Sequence, residues 1–87
     1  MSPEKRQALI AAINKRVETP TASELVTLRD RGCDSWGNYI VDTADNNGIS
    51  PGEAYSIWQM LGPNEAFDGF VTSCEDAAMC MEGEEDE

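Results

Sequence analysis

Apolar positions recur at three- and four-residue steps along most of the chain, and proline, glycine and asparagine interrupt them at short intervals. Ser2-Pro3-Glu4 reads as an N-cap, a proline at the first helical position and an acid in the first turn. Leu9, Ile13 and Val17 then repeat at four-residue spacing, with Ile10 and Ala12 alongside, which predicts a helix over 3–17 that Pro20 ends. Thr21-Ala22-Ser23-Glu24 matches a capping box and opens a helix over 22–31, with Leu25, Val26 and Leu28 as its apolar face. Arg29 and Arg31 suit the negative end of that helix, and Gly32 suits the residue after its cap.

Asp34 or Ser35 caps a third segment, in which Trp36, Tyr39, Ile40, Thr43 and Ala44 follow at helical spacing up to Asn46-Asn47-Gly48. Tyr39–Val41 alone also fits a strand, since it is aromatic and β-branched. Helix is preferred because the stripe continues to Ala44. Ser50-Pro51-Gly52-Glu53 is the clearest start signal: serine as cap, proline at the first position, glutamate at the third. Ile57, Trp58 and Leu61 form the buried face of this helix, and Gly62-Pro63 stops it. Asn64 caps a last helix over 65–80, whose stripe is Phe67, Phe70, Val71, Cys74, Ala77, Ala78 and Met81. Gly69 weakens it and suggests a close approach by the preceding helix.

These segments predict an all-α fold, a compact bundle of four to five short helices. Residues 1–81 form one small helical domain, and 82–87, five acids and one glycine, form a disordered acidic tail. At 87 residues the core is thin, so both tryptophans are expected inside it. The longest apolar run, residues 8–13, falls short of the roughly 20 residues needed to span a bilayer. Three cysteines, Cys33, Cys74 and Cys80, cannot close a disulfide framework within one chain, which fits buried thiols in a reducing cytoplasm. Cys74 and Cys80 on one helix would stand about 9 Å apart in rise, too far for a bridge.

Charge changes the picture most. The net charge is −11, and its distribution is lopsided. All six basic side chains lie in residues 1–31, against four acids; residues 32–87 carry thirteen acids and no Lys, Arg or His. A single-signed stretch of that length repels polyanions, which argues against direct contact with nucleic acid or an anionic membrane and favours a protein with a basic groove.

Tests for other chemistry give little. Residues 42–53, DTADNNGISPGE, resemble a calcium loop, but the glycine and the closing glutamate are one residue too close for either register. Without histidine or a Cys-x2-Cys pair there is no transition-metal spacing. No histidine stands ready as a base for a nucleophile, and no glycine-rich phosphate loop is present, so catalysis and a cofactor are not expected. The N-terminal cations could touch phosphates, but the acids oppose a long contact.

Two functional readings remain. In the first, Asp42, Asp45, Glu53, Glu65, Asp68, Glu75 and Asp76 form a rigid array of carboxylates that imitates the charge spacing of duplex DNA, one per about 1.7 Å of axis. Such a protein would inhibit a nuclease or a DNA-binding regulator by filling its basic groove. In composition and size the chain broadly resembles small acidic phage or plasmid proteins of that kind; no motif carries the resemblance further. In the second, the chain is a small helical adaptor or accessory protein that binds its partner, or a second copy of itself as a homodimer, mainly through apolar contacts at residues such as Trp36, Tyr39, Trp58 or Phe70.

Overall fold

The computed structural model describes the backbone of residues 2–62 and 65–85 and the side chains of these as far as Met79. Within these residues the chain is all-α, with five helices: α1 (Pro3–Asn14), α2 (Ala22–Asp30), α3 (Trp36–Asn47), α4 (Pro51–Leu61) and α5 (Gly69–Glu85). The fold divides into two compact units, Met1–Asp42 and Thr43–Glu87, and α3 runs through the division. The division also sorts the charge. Residues 1–42 hold six basic and six acidic side chains, and residues 43–87 hold eleven acidic and none basic.

Helix starts follow the local signals. The Ser2 hydroxyl accepts from the Lys5 N–H, and Ser50 accepts from Glu53 N–H at 3.2 Å. The reciprocal box on α2 is complete: Glu24 N–H donates to the Thr21 hydroxyl at 3.2 Å, and Thr21 N–H donates to the Glu24 carboxylate at 2.8 Å. For α3 the cap is Ser35, whose hydroxyl accepts from Asn38 N–H. Two helices end alike. Past α2, Cys33 N–H reaches back to the Leu28 carbonyl and Gly32 N–H to that of Arg29, while Gly32 sits at φ 80°. Past α3, Ile49 N–H reaches Ala44 and Gly48 N–H reaches Asp45, with Gly48 at φ 71°. In both, the residue after the glycine and the residue whose carbonyl it bonds are buried: Cys33 and Leu28, Ile49 and Ala44.

The first unit buries Ile10, Ile13, Leu28, Cys33, Trp36, Tyr39, Ile40 and Val41. Its tightest contact is the approach of α3 to α1 at Gly37, where an added Cβ would stand 2.5 Å from the Ile10 carbonyl oxygen. Asn14 fastens this crossing: its Oδ1 accepts from Gly37 N–H at 2.8 Å, and its Nδ2 donates to the Ser35 hydroxyl. Trp36 and Tyr39 meet edge to face, 6.0 Å between centroids. The second unit packs α4 on α5 through Trp58 and Phe70, edge to face at 5.4 Å, over buried Ala54, Ile57, Ala66 and Cys74.

Several sequence expectations are corrected. α1 ends at Asn14, one turn before 17, and it buries Ile10 and Ile13, three residues apart, leaving Leu9 and Val17 only half-buried. On α2 only Leu28 is buried, and Val26 is 62% exposed. α5 starts at Gly69 rather than 65, because Glu65–Asp68 form tight turns and Thr72 N–H bonds the Asp68 carbonyl. The atoms nearest to a Cβ built at Gly69 belong to the Glu65 side chain. The α5 backbone is helical to Glu85, past the boundary expected at 81. The cap at Asn64, the Cys80 thiol, Met81 and the side chains of the acidic tail lie outside the described residues.

Candidate functional site

The aromatic residues expected as contact anchors are core. Trp36, Tyr39, Trp58 and Phe70 are all at most 4% exposed: both tryptophans lie inside, as expected, and none of the four is presented at the surface. Cys33 and Cys74 are buried and free. Burial first, then the nearby Glu53 and Glu75 carboxylates, pushes the Cys74 thiol up to about 11, and Cys33 is raised chiefly by burial as well. Both are held as neutral thiols, the opposite of the activation a nucleophile needs.

The seven acids named from sequence are divided between the two units, one in the first and six in the second. Asp42 belongs to the first unit and is engaged with Arg6 at 3.4 Å, both side chains partly exposed. Asp45 lies a turn further along α3 and is exposed. Glu53 sits half-buried in the first turn of α4, close enough to Cys74 to act on its thiol. Glu65 is exposed in the turn before α5. The acids that helical spacing gathers are Asp68, Glu75 and Asp76: with Thr72 and Met79 they occupy steps of three and four residues, and all five are exposed. Met79, 68% exposed, is an apolar member of that face which the reading of charges alone missed.

A second face was also missed. Because α1 turns Ile10 and Ile13 inward, Lys5, Ala8, Leu9 and Ala12 point outward at the same three- and four-residue steps. Lys15 follows at the next step, in the capping position with helical dihedrals (φ −72°, ψ −20°). Together they make a shallow apolar surface with a cation at each end. Ala8, Ala12 and both lysines are exposed, Leu9 half so. No carboxylate of the described residues forms an ion pair with Lys5 or Lys15. The signal was present in the sequence as Ala8 and Ala12 four apart between Lys5 and Lys15, but the expected stripe through Leu9 turned that face inward.

A cleft of about 250 Å³ in the first unit is lined by Asn14, Glu18, Pro20, Leu25 and Asp34, among others. Asn14 is already committed to Ser35 and Gly37, and no cluster of metal-binding side chains exists among the described residues. No described helix is long and apolar enough to cross a membrane. Comparison with known proteins brings no likeness: no family model, curated protein or solved structure matches the chain.

Proposed function

We propose that this chain is a small helical accessory protein that acts by binding another protein through the outward face of α1. The observation that carries this reading is the double-sided apolar character of α1: Ile10 and Ile13 fill the core, yet Ala8, Leu9 and Ala12 remain as an apolar strip outside. Small side chains let a second backbone approach closely, and the flanking lysines select partners with acids at matching positions. The test is affinity capture at low and high salt with the wild type and with Ala8→Glu/Ala12→Glu. A partner held through this face is lost with the double variant, and only the share of the affinity that the lysines supply falls with salt. A partner retained by that variant overturns the reading.

A second reading is favoured by Asp68, Glu75 and Asp76, exposed on one face of a unit that carries no cation. In it the chain is an inhibitor of DNA-mimic type whose carboxylates enter the basic groove of a nuclease or DNA-binding regulator. Binding of this kind releases counterions and falls steeply with salt, and DNA competes for the groove. Replacing Glu65, Asp68, Glu75 and Asp76 by lysine abolishes it while helicity is kept. Capture that is insensitive to salt, to DNA and to these four changes removes this reading.

A further inference from the structure

Resting on the α1 reading, we infer that the partner of the α1 face is a second copy of this chain, which docks there with the acidic face of its α5. The two faces are complementary in charge and in layout. On α1, Lys5 and Lys15 stand at the ends of an apolar strip, about 15 Å apart at 1.5 Å per residue. Asp68, in the turn just before α5, and the pair Glu75 and Asp76 on α5 straddle Thr72, about 11 Å apart on the same measure. Flexible lysine stems span the difference. With the ends matched, the small Thr72 lies over the strip of Ala8, Leu9 and Ala12, and Met79 extends past one end with its apolar surface free to lie against the first unit of the neighbour.

The sorting of charge between the units makes this contact favourable although the whole molecule is strongly negative. The first unit nets to zero and the second holds all the excess. At physiological salt the screening length is about 8 Å, so distant carboxylates of two copies repel little and charges across the contact dominate. One helix laid on another is a small interface, so the association is weak and is read at high micromolar concentration. Because the two faces differ, the contact closes as a reciprocal pair or a ring, or else it propagates.

The experiment is sedimentation equilibrium of the full chain at physiological salt, with charge-swap variants. Lys5→Glu/Lys15→Glu and Glu75→Lys/Asp76→Lys each weaken self-association by about tenfold or more, since each sets like charges against each other. Mixing the two variants restores it, because each then offers the face the other lacks. Circular dichroism checks that both remain helical. A wild type that stays monomeric overturns the inference, as does association that survives Glu75→Lys/Asp76→Lys unchanged or a mixture that fails to recover. If the wild type is monomeric while Ala8→Glu/Ala12→Glu still abolishes capture of a different protein, the second copy is the wrong partner and the α1 face stands. If that double variant abolishes neither, the α1 face itself is wrong.

Discussion

Gly37 is where a single missing methyl group decides the packing of the first unit. A Cβ there meets the Ile10 carbonyl, which belongs to a helix backbone and cannot swing aside. Gly37→Ala gains helix propensity of up to about 1 kcal/mol. It also overpacks the α1 crossing, at a cost of about 1–3 kcal/mol. Net destabilisation is expected in urea unfolding; an unchanged or higher midpoint would show that α1 shifts freely. Cys74 gives a second test. In the unfolded chain its thiol ionises near 9.0, and in the fold it stays protonated up to about 11. Between those values the unfolded state binds fewer protons, so stability falls as pH rises; below 9.0 both states are protonated and the thiol adds no slope. Comparing wild type with Cys74→Ala below 9.0 and again between 9.0 and 11 should show the wild type losing more. Burial at this scale was only partly legible. The periodicity named Ile10, Ile13, Leu28 and Phe70 as apolar but did not rank them against Leu9, Val17 and Val26, because a stripe wider than the contact leaves its rotation undetermined.

At the scale of elements the reading was closer, because caps are local. The hydroxyl and carboxylate of Thr21 and Glu24, the serine and proline at 50 and 51, and the glycines at 32 and 48 each act within five residues of themselves, so their chemistry is written where it operates. Thr21→Ala breaks half of the box and should cost about 1 kcal/mol, seen as faster amide exchange in the first turn of α2. The misplaced ends have equally local causes. α1 stops when Arg16 N–H bonds Ile13 in a tighter turn, and α5 waits for Asp68 because turns occupy Glu65–Asp68. The α1 face escaped sequence reading for a different reason. Alanines look like core filler until the buried side of the helix is known, and only then does the outward strip between Lys5 and Lys15 become visible.

For the molecule as a whole, the asymmetry of charge was plain in the sequence, but its alignment with the two units was not. The sequence placed the change of sign after Arg31, whereas the structural division adds Asp34 and Asp42 to the first unit and brings that unit to neutrality. Crowding eleven acids into the second unit without a cation is self-repulsive, so added salt should raise the melting temperature, most steeply below about 0.1 M where screening is weak. A melting temperature that falls with salt would mean that attractive pairs outweigh this repulsion. The proposal that the chain works through the outward side of α1 is tested most directly by a photo-cross-linking residue at position 12, with Gln59 on α4 as the exposed control. Protein adducts, to a second copy or to a different chain, should form from position 12 and not from position 59. Adducts from 59 with none from 12 would contradict it.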